Sequence, residues 1–303
     1  MRDLNGIHHI SAITADATKN LLFYTGVMGM RLVKKTVNQD NPSVYHLFYA
    51  DEDGSPGADL TFFEYPGLTQ GRAGAGMIHR IGLRVVSERA LDFWAKRLAA
   101  AGLDSVRGDG RLSFDDPEGL GFELIAEPTS DEPLAALHPE IPEDFALQGF
   151  AGVRAYSHRP ELSQEFLRDA VGFRPNGERA YVARGDSRGS FYDYDVAPAQ
   201  RGLGGSGTVH HVAWSSTMDD HVRWRDRVIE SRGDPTPVID RFYFRSIYFR
   251  EPSGVLFEIA TMGPGFATDE PKERLGEKLS LPPAFEYLRQ QVEANLTPLP
   301  ATR

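Results

Sequence analysis

The chain contains no cysteine, which removes disulfides, thiolate metal sites and cysteine nucleophiles from consideration. Positive charge is also scarce: 33 Lys and Arg against 43 Asp and Glu leave a net charge of -10. That is the wrong sign for a surface that clusters cations on phosphate. No apolar run approaches the ~18 residues of a membrane span, and Met1-Arg2-Asp3-Leu4-Asn5-Gly6 lacks the apolar core of a signal peptide. A Gly-rich phosphate loop of the usual pattern is missing, so no organic cofactor is implied. From these absences we expect a cytoplasmic protein that binds neither nucleic acid nor membrane, with a homo-oligomer left open. A chain of 303 residues, 41% of them hydrophobic, is long enough for two domains with substantial cores.

What the sequence does have is repetition. Four strand-like segments resemble one another: Ile7-His8-His9-Ile10, Ile78-His79-Arg80-Ile81, Phe150-Ala151-Gly152-Val153 and Val209-His210-His211-Val212. An amphipathic helical stretch follows each, with an aromatic at a similar remove (Phe23, Phe93, Phe166, Trp224) and then a glycine suited to end the helix (Gly29, Gly102, Gly172, Gly233). Asp116-Pro117-Glu118-Gly119 and Glu251-Pro252-Ser253-Gly254 are near copies, each leading to a Phe-Glu pair, Phe122-Glu123 and Phe257-Glu258. Each unit thus reads strand, helix, then about three strands. The expected class is α+β: four βαβββ modules forming two bowl-shaped mixed-sheet domains, with a C-terminal helical tail. The modules fall at 6–66 and 77–127 within a first pair 1–127, and at 148–197 and 207–263 within a second pair 148–263. A Pro- and acid-rich linker covers 128–147, and the tail 264–303 opens a helix at Ala284 that runs to about Asn295.

Chemistry shows where the copies differ. The opening slot of the four units holds His9, Arg80, Gly152 and His211; the closing slot, after the turn glycine, holds Thr61, Glu123, Asp193 and Glu258. Unit 4 fills both slots with metal ligands and unit 1 adds a histidine, while Arg80 repels a cation and Gly152 offers no side chain. Since neither unit has a full set alone, units 1 and 4 are expected to form one bowl, and units 2 and 3 the other. In a regular strand the members of His8-His9 and His210-His211 point to opposite faces, so one of each pair would reach a shared site. Two imidazoles and one carboxylate with open coordination positions is the facial-triad chemistry of non-haem Fe(II) oxygenases, although zinc takes the same ligands. Glu123 belongs to the unit that opens with Arg80 and is expected to gain an ion pair there.

The repeat, the paired histidines and the closing glutamate resemble the glyoxalase/bleomycin-resistance/extradiol-dioxygenase (vicinal oxygen chelate) superfamily. The resemblance is nearest to hydroquinone ring-cleavage dioxygenases such as dichlorohydroquinone dioxygenase. It spans nearly the whole chain and is most specific at Gly6-Ile7-His8-His9-Ile10, Gly29-Met30-Arg31-Leu32-Val33-Lys34-Lys35-Thr36, Val44-Tyr45-His46-Leu47 and residues 241–254. It implies Fe(II), with Mn(II) as the other candidate ion, on His9, His211 and Glu258. It also places His8, His210, Arg241 and Tyr248 around a small aromatic diol that is opened by O2. Arg241 would stabilise negative charge on oxygen, and His8, His210 or Tyr248 would move phenolic protons. Ser11 stands where the chlorinated-hydroquinone enzymes are expected to carry Thr. The rival expectations are a glyoxalase-like metal-dependent lyase or isomerase, disfavoured by Thr61 in the fourth slot, and a non-catalytic module that binds aromatic compounds or drugs.

Overall fold

The computed structural model describes residues 1–301. Unit 1 comprises β1 (Ile7–Thr14), α1 (Ala17–Leu21), β2 (Arg31–Asn38), β3 (Asn41–Ala50) and β4 (Asp59–Glu64). Unit 2 comprises β5 (Met77–Val85), α2 (Glu88–Ala100), β6 (Ser105–Gly108), β7 (Arg111–Asp115) and β8 (Gly121–Ala126). In unit 3 these become β9 (Phe150–Ser157), α3 (Gln164–Asp169), β10 (Arg174–Pro175), β11 (Ala180–Arg184) and β12 (Gly189–Val196). Unit 4 consists of β13 (Thr208–Ser216), α4 (His221–Glu230), β14 (Ile239–Asp240), β15 (Arg245–Arg250) and β16 (Leu256–Thr261). Every unit is βαβββ, as the repeat implies.

The helices show why each unit buries one face. In α2, Ala90, Leu91, Trp94 and Leu98 recur at helical spacing and are buried, and Ser87 caps the start by accepting from the Ala90 N–H. The core aromatic of unit 2 is therefore Trp94, with Phe93 only partly buried, one residue from the expected position. Asp16 caps α1 through the Lys19 N–H, and the helix runs on as a six-residue π-helix, Leu22–Val27, that buries Phe23 and Tyr24. Three of the helix-ending glycines, Gly29, Gly102 and Gly172, adopt the left-handed conformation. Unit 4 departs from this: Arg232 takes it, at φ 66°, and Gly233 follows, where a Cβ would lie 2.5 Å from Val228.

The strands assemble into two eight-stranded mixed sheets, β14-β15-β16-β13-β1-β4-β3-β2 and β10-β11-β12-β9-β5-β8-β7-β6. Units 1 and 4 share the first and units 2 and 3 the second, joined at the centre by the antiparallel pairs β1–β13 and β5–β9. Each contiguous half, 1–127 and 148–263, contributes one unit to each sheet. One apolar cluster takes in residues of both sheets and of α1–α4, including the fully buried Trp94, Trp214, Trp224, Tyr24 and Phe122.

The tail lies along the outer edge of the first sheet. Ser280 N–H donates to Lys35 O at 2.8 Å, so the β2 edge is partly paired rather than open. Lys34, fully buried on β2, is neutralised by Asp269 (2.7 Å) and Glu270 from the tail. The helix expected from Ala284 is observed as a 3-10 segment, Pro283–Leu288, that becomes α5 (Arg289–Asn295). No helix among the described residues is long and apolar enough to cross a membrane.

Candidate metal centre and active site

Three adjacent central strands of the first sheet bring His9 (β1), His211 (β13) and Glu258 (β16) to one point. The two Nε2 atoms are 3.1 Å apart, and Glu258 Oε2 lies 3.2 Å from His9 Nε2 and 2.9 Å from His211 Nε2. All three side chains are buried, Glu258 completely. Neither Glu258 oxygen has a hydrogen-bond partner among the described residues, although both imidazoles lie against it. Burial pushes the Glu258 carboxyl up, but His9 and His211 outweigh it and hold it well below the usual carboxylate range. Three electron-pair donors converging in a dry site repel one another unless a cation shares them, so this donor set fits a metal ion.

The histidine pairs do not obey strand alternation. β1 pairs with β13 as Ile7↔Trp214 and then His9↔Ala213, skipping His8; further along, Ser11↔His211 is followed by Ala12↔Val209, skipping His210. His8 and His210 are therefore the extra residues of two β-bulges, which re-aim a side chain beside a site. As a result each pair stands ring edge to ring face instead of on opposite sides of the sheet. His8 Nδ1 is 3.0 Å from His9 Nδ1, and His210 Nδ1 is 2.8 Å from His211 Nδ1. The second sheet skips His79 and Ala151 at the matching points of β5 and β9, so the bulge belongs to the repeat itself.

A cavity of about 340 Å³ opens on the two histidines of the triad. His9, His211, His210, Arg241 and Tyr248 line it, along with Phe48, Phe63, Phe244, Ile239 and Leu256. His8 does not: its Nε2 lies 3.1 Å from Thr261 O, so it stands behind His9 rather than on the cavity wall where it was expected. Burial, followed by His9, pushes the His8 pKa down to about 3. Arg241 is held across the mouth by Asp40 from the β2–β3 turn, in a bidentate pair with both contacts at 3.0 Å, and its Nε donates to Tyr248 Oη at 3.4 Å. Phe242, next to it, carries a φ of 72°, a strained conformation for a bulky residue that fits a turn fixed by its surroundings. Burial, then Glu258, keeps the Tyr248 hydroxyl protonated far above neutrality.

His46, from β3, is a cavity residue that the slot analysis missed. Its Nε2 lies 2.9 Å from Thr61 Oγ1, which in turn is 2.7 Å from Ser11 Oγ. Thr61, the residue in the fourth ligand slot, is thus engaged in a hydrogen-bonded chain. Burial pushes the His46 pKa well below its ordinary value, with His9 and His211 adding to the effect, so its imidazole is neutral. The signal for His46 was its place two residues before Phe48 on β3, which puts both side chains on the strand face that lines the cavity.

Residues 6–124 match the Glyoxalase/Bleomycin resistance protein/Dioxygenase superfamily. A Bacillus subtilis protein named "Putative ring-cleaving dioxygenase MhqO" is 42% identical over 303 residues, covering 97% of this chain and 96% of its own. The chain belongs to this superfamily. The chlorohydroquinone/hydroquinone 1,2-dioxygenase of Sphingobium indicum is 33% identical, with 95% of each protein covered. The crystal structure of a B. subtilis protein titled "putative dioxygenase" superposes with a TM-score of 0.92 at 38% identity, covering both chains fully. Among the described residues, the second sheet of this vicinal oxygen chelate fold holds no matching triad. At Gly152, the counterpart of His9, a Cβ would lie 2.3 Å from the Phe191 ring, so an aromatic fills the ligand's place. Glu123, the counterpart of Glu258, is neutralised by Arg111 at 2.9 Å. The expected partner was Arg80, which instead donates to Phe122 O, because the β7–β8 ladder sets Arg111 on the strand beside Glu123.

Proposed function

We propose that this protein is a ring-cleaving dioxygenase that opens an aromatic diol of the hydroquinone type with O2, using Fe(II) held by His9, His211 and Glu258. The observation that carries the reading is the triad, with its two imidazoles on the wall of a cavity lined by aromatic rings and Thr61 closed off as a fourth ligand by His46 and Ser11. Bound there, Fe(II) would lower the pKa of a diol hydroxyl and bring O2 into reach. Its identity over Mn(II) rests on the relatives' class and the mixed imidazole–carboxylate donors.

The chain's own groups then have separable tasks. With both Nε2 atoms turned to a cation, His9 and His211 must carry their protons on Nδ1. His9 then donates to His8 Nδ1, and His8 donates from Nε2 to Thr261 O, so every ring nitrogen in that line is satisfied. On the other side His211 donates to His210 Nδ1, leaving the His210 Nε2–H on the cavity wall. Phe48, Phe63 and Phe244 present apolar surface to an aromatic ring, and a cavity of roughly 150 Å³ already accepts benzene, so the observed volume holds one substituted ring. Tyr248, kept protonated, donates to a phenolic or developing anionic oxygen, and Arg241 beside it supplies the fixed positive charge. The deciding experiment is O2 uptake by Fe(II)-loaded protein offered hydroquinones, catechols and, under strict anaerobiosis, a hemithioacetal. The expected result is one O2 consumed per diol ring opened; turnover of the hemithioacetal without any O2 uptake on diols would replace this reading with a lyase.

A further inference from the structure

A diol bound through one oxygen at the triad carries its second hydroxyl into a cavity walled by Phe48, Phe63 and Phe244. A hydroxyl moved from water into apolar surroundings costs free energy unless it finds a hydrogen-bond partner. In the strand order, β15 with Tyr248 lies on one flank of the three ligand strands, and β4, β3 and β2 lie on the other. His46 stands on that second flank, opposite Phe63 across β3–β4 and opposite Thr36 across β2–β3. Its ring packs 3.9 Å from Phe48 and 4.2 Å from Phe63, centre to centre, and its Nε2 is tied to Thr61. Nδ1 has no hydrogen-bond partner among the described residues, and it is not one of the buried polar atoms sealed from the cavity. The other polar side chains there are less free. Asn38 donates to Tyr65 Oη at 3.3 Å and Gln39 to Arg241 O at 2.8 Å, Ser11 is bonded to Thr61, and Thr36 Oγ1 is sealed.

The hydrogen-bonded chain Ser11–Thr61–His46 holds the imidazole in place in either of two proton arrangements. If Thr61 accepts from the Nε2–H, Nδ1 is a bare acceptor; if Thr61 donates to Nε2, Nδ1 carries the proton. A hydroxyl both donates and accepts, so it matches either state, whereas a ring C–H matches neither. The two oxygens of a 1,4-diol lie at opposite ends of the ring, and those of a 1,2-diol lie side by side. With one oxygen at the triad, the 1,4-diol is the isomer whose second oxygen points across the cavity. We propose that His46 is a specificity-determining residue whose Nδ1 receives the far hydroxyl of a 1,4-diol, so that the site favours hydroquinones over rings without an oxygen at that position. The assignment rests on the ring-cleavage reading above and adds to it the residue that recognises the second oxygen.

Anaerobic calorimetry on Fe(II)-loaded protein gives the Kd of hydroquinone, of catechol and of phenol, the last two lacking the far hydroxyl. The wild type should bind hydroquinone about ten- to a hundredfold more tightly than phenol, the range for one buried hydrogen bond made or missed. His46→Phe, which keeps a ring beside Phe48 and Phe63, should bind the two alike, with phenol and catechol affinities as in the wild type. His46→Leu should behave the same way; if it does not fold, His46→Phe decides, and the wild type's own preference is a test that needs no variant. A wild type that binds phenol as tightly as hydroquinone would overturn the proposal, as would a preference that survives in His46→Phe. Equal weakening of all three ligands in the variants would make His46 a shaper of the cavity and overturn it too. In each of those cases O2 uptake by the wild type on hydroquinone would leave the ring-cleavage reading standing. No uptake on any diol would overturn that reading, and this inference with it.

Discussion

Glu258 and Glu123 end near-identical turns and follow the same Phe, yet their surroundings predict opposite consequences for the same substitution. Glu258→Gln removes the only carboxylate of the triad and its charge, at a side chain with no exposure. Structural metal sites release about 10–16 kcal/mol of binding energy. Shared among some four ligands, that is about 3–4 kcal/mol each, or two to three orders of magnitude in affinity. The variant should therefore lose nearly all iron on desalting and nearly all O2 uptake. Its metal-free Tm should fall, since the two imidazoles that hold the carboxyl below its usual range lose their charged partner. Glu123→Gln breaks a contact with Arg111, whose side chain is 41% exposed; pairs of that kind are worth about 1 kcal/mol or less. It should keep iron at the wild-type stoichiometry and full ring cleavage. Iron per chain after anaerobic reconstitution, O2 consumption and thermal melts on both variants decide the matter. If Glu123→Gln empties the site while Glu258→Gln stays loaded, the assignment of the active half of the molecule is refuted.

Tyr248→Phe keeps the ring that packs against His211 at 5.7 Å but loses the hydroxyl; iron content should be unchanged and kcat should fall by about 10²–10⁴, the range for a lost acid–base group, as followed by steady-state O2 uptake. Asp40→Asn frees Arg241 at a residue whose side chain is 74% exposed, so stability should change by less than about 1 kcal/mol while KM for the diol shifts with iron retained. His221 is buried at the start of α4, 3.0 Å from Ser216 Oγ, and burial lowers its pKa from 6.5 to about 4. Below about pH 6.5 the unfolded chain takes up a proton that the folded one refuses, so stability is full above that pH and falls as pH drops toward 4, by up to about 3 kcal/mol. Urea melts of metal-free wild type and His221→Gln between pH 4 and 7 should show a shallower slope in the variant, and equal slopes would contradict the assignment.

The fold was legible because it is written four times. A strand opening, a helix with an inward aromatic, a left-handed stop and a closing strand recur in each unit, and repetition averages out the local ambiguity of any single one. The errors fall where one residue's environment decides the outcome. Trp94 rather than Phe93 faces the core, a choice that helix phase makes and adjacent aromatics cannot reveal. Arg232 rather than Gly233 takes the positive φ, and the glycine serves instead to leave room for Val228, 2.5 Å from where a Cβ at position 233 would lie.

The triad was legible for a different reason: duplication makes a departure informative, and only units 1 and 4 carry a histidine in the opening slot, with unit 4 alone adding a carboxylate in the closing one. The sequence did not reveal how a second histidine in each pair reaches the same side of the sheet. Alternation would send His8 and His210 away from the site, and the bulges that return them depend on how β1 and β13 pair across the middle of the sheet, not on either strand alone. The same bulges occur at His79 and Ala151, where no triad exists, so the backbone device is common to the repeat and the chemistry depends on which side chains occupy it. At Gly152, Phe191 closes the position; at His9, the same backbone holds an imidazole backed by His8, with Asp59 beside them. The sheet that gathers the triad thus shares its backbone frame with the other and differs in which side chains occupy the slots, which is why Glu123 and Glu258 can look alike in sequence and differ so completely in what surrounds them.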